Sequence, residues 1–252
     1  MIDRTLYKGY SSKEGMSKWQ CPTCYSSLLQ LDNDKFIVEY NSGTAVNYHE
    51  DWFDAPEMIV YTFTTLLHCT NKNCKEVVTC SGTGYVEEEY YSEYGHHERR
   101  YEDYFKPFYF YPTLHIFQIP EKTPEDVKEA ILASFSMVFT NYSTAANQIR
   151  IALECLLTHL KINRTKIIKR KRKRLNLHER IALLPVRFQK IKDVCMAIKW
   201  LGNAGSHCGD KMTFDDVFDG YDMLSFILDE LYDNKHEHVK KLAKKINKKK
   251  GV

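Results

Sequence analysis

Apolar residues recur at two different periods along this chain, and the period changes near residue 120. Ahead of that point the apolar runs are short and rich in β-branched and aromatic residues. Phe36-Ile37-Val38-Glu39-Tyr40 and Met58-Ile59-Val60-Tyr61-Thr62-Phe63-Thr64 predict strands. Lys75 to Cys80 predicts a third, ended by Ser81-Gly82, and Gly84–Tyr94 with His97–Phe110 predicts a hairpin turning near Gly95-His96. The many tyrosines of that hairpin suit a pleated, half-exposed surface. Ile119-Pro120 closes this region.

Beyond it, Thr123-Pro124-Glu125-Asp126 predicts a helix start, with Thr123 as cap, Pro124 at the first helical position and Asp126 as capping-box acid. Val127, Ala130, Ile131, Ser134, Phe135, Val138 and Phe139 then fall on one helical face. Further helices are predicted from about Thr144 to Lys161, from Leu177 to just before Pro185, from Val186 or Arg187 to Ala204, and from Thr213 to about Lys235. The pattern predicts an α+β chain with a β domain over residues 1–120, an all-α bundle over 121–239 and a basic tail over 240–252.

Composition keeps the chain among globular proteins, at 252 residues with 43% hydrophobic and 27% charged. No apolar run approaches the roughly 18 residues of a membrane span, and Met1-Ile2-Asp3-Arg4-Thr5 lacks a signal-peptide core. The expectation is a cytoplasmic protein without membrane contact. Its 8 cysteines are then reduced or metal-bound. The net charge of +3 conceals a strong polarity. Glu87, Glu88, Glu89, Glu93, Glu98, Glu102 and Asp103 make an acidic, tyrosine-rich block, a candidate partner surface or a packed sheet face. Arg164, Lys166, Lys169, Arg170, Lys171, Arg172, Lys173 and Arg174 make a basic one, and lysines recur from Lys240 to Lys250. Such blocks hold phosphate backbones through counterion release, or are solvated loops and tails. Residues 169–174 are the candidate nucleic-acid contacts.

Cys21-Pro22-Thr23-Cys24 and Cys69 with Cys74 form two close pairs. Each places two thiolates at the tip of a tight turn. Together they supply the four soft ligands of a closed tetrahedral zinc site, structural rather than catalytic. The β domain is therefore expected to be zinc-ribbon-like, with Cys80 and His68 as substitute ligands.

Two polar clusters interrupt apolar helices. Arg150 and Glu154 lie four apart, as do Lys199, Asn203 and His207. One reading is local: an Arg–Glu pair on one helix, and a helix ending near Gly202 or Gly205 with Asn203 capping it. The other is a shared polar site, since buried charges demand partners.

At these residues the chain resembles the domain of unknown function family 4145. The similarity is carried by Arg150-Ile151-Ala152-Leu153-Glu154, by Leu175-Asn176-Leu177-His178-Glu179-Arg180-Ile181 and by Leu201-Gly202-Asn203-Ala204-Gly205-Ser206-His207, over about residues 15–232. The family is bacterial, and the resemblance implies a bundle similar to HEPN (higher eukaryotes and prokaryotes nucleotide-binding) domains, many of which are metal-independent ribonucleases of toxin and antiphage systems and commonly act as dimers. On that pattern Asn203 and His207 match, while Gly202 stands where the family's arginine does. The resemblance implies a binding or sensing module for nucleic acid, nucleotide or protein in bacterial defence or stress response, with a protein partner of a defence complex and a homodimer through the bundle. Its alternative is a ribonuclease in which His207 moves protons, Arg150 or Lys199 supplies the cation, Asn203 donates to phosphate and Glu154 orients a neighbour. A third reading is a purely structural subunit.

Overall fold

The structure is a computed structural model, and it describes residues 2–93, 96–204, 212–233 and 242–248. Contacts divide the chain into two units, residues 3–115 and residues 116–252 joined by 1–2.

The first unit is built on an antiparallel sheet. Its strands are β1 (Leu29–Leu31), β2 (Ile37–Tyr40), β3 (Val60–Cys69), β4 (Val77–Glu93) and β5 (His96–Tyr111), with a short helix α1 (Ser42–Asn47) after β2. β3 is long enough to seat two strands along one edge. β2 pairs with its first half, Tyr40 opposite Tyr61, and β1 with its end, Leu29 opposite Cys69. β4 lies on its other edge, and β5 follows β4. Phe63, Leu67, Val78, Phe105 and Phe110 are buried, as are Met16 and Trp19 from the preceding segment. Trp19 meets Phe110 edge-on and donates its indole N–H to the Leu6 carbonyl at 2.8 Å.

The predicted third strand does not stop at Ser81-Gly82. The strand continues through that point, and a bulge takes up the irregularity. Gly82 is required there, because a Cβ would lie 2.1 Å from the Lys106 carbonyl oxygen. At the far end of the hairpin Tyr90 and Tyr101 are exposed, and Arg99 pairs with Glu88 at 3.2 Å.

His115 ends this unit, hydrogen-bonded to the Tyr25 hydroxyl. Burial pushes its pKa down to about 4. The unfolded chain binds this proton from about pH 6.5 downward and the folded chain does not. Stability is therefore expected to be full above about pH 6.5 and to fall by up to about 3 kcal/mol as the pH drops to about 4. Urea midpoints at several pH values, with His115→Gln flattening this limb, check it. Equal acid sensitivity in both proteins would refute it.

The second unit holds α2 (Glu125–Met137), α3 (Tyr142–His159), β6 (Thr165–Ile168), β7 (Lys171–Arg174), α4 (Leu177–Ala182), α5 (Gln189–Ala204) and α6 (Phe214–Tyr232). Ile131 and Phe135 of α2, Ile149, Leu153 and Leu156 of α3, Cys195 and Ile198 of α5, and Val217, Tyr221 and Leu224 of α6 form its core. Within it, Ser134 donates to the Ala145 carbonyl at 2.8 Å and bonds the Tyr221 hydroxyl at 2.9 Å, so the buried phenol is satisfied. Local capping sets several helix starts. Asn141 caps α3, Asn176 and Glu179 form a capping box on α4, and Thr213 and Asp216 form one on α6. α2 differs from expectation: Pro124 is its cap residue, with no side-chain cap bond.

Two parts of the expected fold class are corrected. The N-terminal region is not a small zinc-ribbon-like domain but a five-stranded antiparallel sheet, whose 17- and 16-residue strands β4 and β5 dominate it. The C-terminal part is not an all-α HEPN-like bundle, because the basic stretch read as a loop is a two-stranded hairpin, β6–β7. Thr165, Ile167 and Ile168 supply the β-branched residues that favour strand here. Among the described residues no helix is long and apolar enough to cross a membrane. Of the tail, residues 242–248 are helical and exposed.

Candidate metal centre and arginine cleft

The sheet brings the two cysteine pairs together. The first precedes β1, the second joins β3 to β4, and β1 pairs with the end of β3 at Cys69. The two turns are built alike. The Tyr25 amide bonds the Cys21 carbonyl at 3.1 Å, and the Lys75 amide bonds the Asn71 carbonyl at 3.2 Å. The residue after each turn's last cysteine, Tyr25 or Lys75, takes a left-handed conformation, with φ of 53° and 58°. One ligand atom each from Cys21, Cys24, Cys69 and Cys74 lies within 4.8 Å of all the others. Cys21 and Cys74 sulfurs are 3.8 Å apart and those of Cys24 and Cys69 3.6 Å. The Asn71 amide points at the Cys69 sulfur, 3.4 Å away.

Hydrogen bonds from the Ser26 side chain and backbone hold the Cys24 thiol down at about 6, whereas burial pushes Cys69 up to about 12. Thiolates this close repel one another, and a divalent cation removes that repulsion. The cluster is compatible with a structural metal site. The substitute ligands do not join it. His68 Nε2 lies 3.3 Å from an Asp32 oxygen, and Cys80 is buried in the sheet, where desolvation pushes its thiol up. Cys155 and Cys195 are free thiols, and Cys208 lies outside the described residues.

The second feature is cationic. Residues 169–174 are all exposed and span the turn and second strand of the β6–β7 hairpin. Its two-residue turn is Lys169-Arg170, at φ of 50° and 63°. Positive φ at both positions defines a type I′ turn, which favours Asn-Gly; each non-glycine residue held there costs about 1–2 kcal/mol. Lys166 stands directly opposite Lys173, a repulsive cross-strand pair. Lys166 is compensated by Glu179 at 2.5 Å. None of the six cations from Lys169 to Arg174 is ion-paired among the described residues.

Beside the hairpin, Arg150, Arg164, Arg174 and Arg180 line a cleft of about 290 Å3 together with Glu154. Arg150 Nη2 is 3.4 Å from Glu154 Oε1, so the local pair forms. Arg180 projects from the apolar side of α4 and is only 4% exposed. Its Nη1 donates to the Glu154 carbonyl at 3.0 Å and its Nη2 to Thr158 Oγ1 at 2.9 Å. Burial lowers its pKa, Glu154 opposes that shift, and Arg164 adds to it. A larger cleft of about 990 Å3, lined by Lys166, Ile167, Arg170, Arg172, His178 and Leu183 among others, shares Leu175 with the first.

Of the other sequence-predicted polar residues, only Lys199 can be placed relative to this cleft. Lys199 is buried with Nζ 2.9 Å from the centroid of the Trp200 ring, and it lines neither cleft. The Asn203 side chain and His207 lie outside the described residues. Gly202 has a physical reason. A Cβ there would lie 2.9 Å from Arg150 Cβ and 3.1 Å from its Cδ, so the Arg150 stem occupies that space. Sequence reading missed Arg180 as a site residue. Its signal was a charge between Leu177 and Ile181, on the face of α4 that turns inward.

Residues 132–249 match the family model described as Domain of unknown function (DUF4145). Residues 9–110 match a second, described as Domain of unknown function (DUF8608). The resemblance first traced over residues 15–232 thus narrows to the C-terminal part, and the sheet unit matches a model of its own. The hairpin and the arginine cleft lie within the DUF4145 match, and the four cysteines lie within the DUF8608 match. No curated protein and no solved structure matches the chain.

Proposed function

We propose that this chain is a nucleic-acid-binding module whose contact element is the β6–β7 hairpin within the DUF4145 match. One observation carries the reading: six consecutive cations sit exposed on the turn and second strand of a two-stranded ribbon, without acidic partners among the described residues. A solvated loop has no need of two basic residues in a left-handed turn. Backbone strain retained at an exposed site points to use of that site. A ribbon of this kind meets phosphates at fixed spacing, 3.3 Å per residue along each strand, and gains affinity by releasing counterions. The ribonuclease alternative rests on His207, which lies outside the described residues, whereas the binding reading rests on the hairpin itself. The setting in bacterial defence or stress response comes from the family resemblance, and a cytoplasmic location suits the reduced thiolates.

We also infer that the metal of the cysteine cluster is zinc. A zinc–sulfur bond of about 2.3 Å sets the edge of a regular tetrahedron at roughly 3.8 Å. The Cys24–Cys69 and Cys21–Cys74 separations of 3.6 and 3.8 Å fit that edge. Four protein ligands leave no open position, so the ion would staple the sheet unit rather than take part in a reaction.

The hairpin is tested by changing Lys169, Lys171 and Lys173 together to glutamine. Each phosphate contact contributes about 0.7 to the salt slope of single-strand binding. The triple variant is expected to lose about 2 from the slope of log K against log salt, and tenfold or more in affinity for short single-stranded RNA at low salt. Fluorescence anisotropy over a salt series measures it. An unchanged slope would remove the hairpin from the interface.

A further inference from the structure

We propose that the cleft formed by Arg150, Arg164, Arg174 and Arg180 is a binding site for a phosphate monoester, the dianionic group of a nucleotide or of a phosphorylated nucleic-acid end. This goes beyond the hairpin reading, which concerns backbone phosphates and does not require a pocket.

Four guanidiniums line this cleft and one carboxylate, Glu154, accompanies them. Glu154 pairs with Arg150, and no carboxylate is ion-paired with Arg164 or Arg174 among the described residues. Like charges gathered around a partly enclosed space destabilise the fold unless an anion enters it. The donors are also prepared. Both terminal nitrogens of Arg180 are held by protein oxygens, while its buried Nε has no acceptor, and Arg150 Nε is in the same condition. Arg180 is thereby fixed in orientation, so little side-chain entropy is lost when a ligand arrives. Arg164 and Arg174 are exposed and stand together at the open end of the hairpin, where Arg174 faces Thr165 and the Leu175 amide bonds the Arg164 carbonyl at 2.9 Å.

The charge and shape select the ligand. A diester phosphate carries one negative charge and two free oxygens. A monoester carries about −1.5 to −2 at neutral pH and three strong acceptor oxygens. Planar guanidinium forks match such oxygens two at a time. At about 290 Å3 the cleft sits at the lower limit of small-molecule pockets. It therefore admits a phosphate and its first attached atoms, and the larger cleft that shares Leu175 offers room for the remainder.

Calorimetric titration of the full chain with adenosine 5′-monophosphate, inorganic phosphate and adenosine tests this. Both phosphates are expected to bind and adenosine is not. Short RNA carrying a 5′-phosphate is expected to bind more tightly than its 5′-hydroxyl counterpart if the natural source is a nucleic-acid end, and equally if the source is a free nucleotide. Arg164→Gln with Arg174→Gln, both at exposed positions, is expected to weaken adenosine 5′-monophosphate at least tenfold without lowering the unfolding midpoint of the ligand-free chain. The triple lysine variant is expected to keep that binding, so the hairpin and the cleft fail separately. Equal binding of adenosine and its monophosphate, or equal affinity in wild type and the double arginine variant, would overturn the proposal.

Discussion

Cys69→Ser is expected to release the bound metal and to lower the stability of residues 3–115 by about 4 kcal/mol, the linkage contribution of a site filled at a thousand times its dissociation constant. For a unit of this size that corresponds to a fall in the unfolding midpoint on the order of 15 °C or more. Cys69 ends β3 and faces Leu29 of β1, and the second knuckle leads straight into β4. Losing the metal therefore frees three strand ends at once. A serine hydroxyl is a poor ligand for a soft site, so three thiolates remain and their mutual repulsion returns. Elemental analysis should give one zinc per chain for wild type and none for the variant. Trp19, buried against Phe110, reports the midpoint by fluorescence. Cys80→Ser serves as the control, because that thiol lies outside the cluster and should leave the zinc in place. Full zinc content and an unshifted midpoint in Cys69→Ser would refute the structural role.

Arg180→Ala is expected to destabilise the C-terminal unit by about 3 kcal/mol, the order found when one partner of a buried charged network is removed. The guanidinium ties α4 to the last turns of α3 and to the chain beyond it, through the Glu154 carbonyl, Thr158 Oγ1 and the Ile162 carbonyl at 3.5 Å. Removing it strands acceptors at a helix C-terminus and leaves a cavity where the side chain was 96% buried, the complement of its 4% exposure. Thr158→Ala deletes only one of these acceptors and is expected to cost about 1 kcal/mol. Urea denaturation followed by far-ultraviolet circular dichroism gives both numbers. A cost below about 1 kcal/mol for Arg180→Ala would mean that solvent replaces these bonds without loss.

What could be read from the chain depended on how local the determining physics is. The cysteine pairs were legible because a tight turn presents two thiolates whatever the surrounding fold, and the four sulfurs do converge. The α6 start was legible because Thr213 and Asp216 satisfy each other within one turn. The β6–β7 hairpin was not. Its charges masked the strand propensity of Thr165, Ile167 and Ile168, and its turn carries neither glycine nor asparagine. β4 was read as two pieces because Gly82 looks like a terminator in one dimension. Only the neighbouring Lys106 carbonyl reveals that glycine is there for clearance. Arg180 escaped for a related reason: its partners lie 18 to 26 residues away in sequence.

The contact between Gly202 and Arg150 limits what α5 can carry. With the Arg150 stem filling the volume beside α5, no larger residue enters position 202 while α3 and α5 keep their spacing. Trimming position 150 relieves only the Cγ and Cδ contacts, because the nearest atom is the Arg150 Cβ that every residue but glycine carries. A side chain at 202 therefore demands wider separation of the two helices, and the glycine sets how closely they approach.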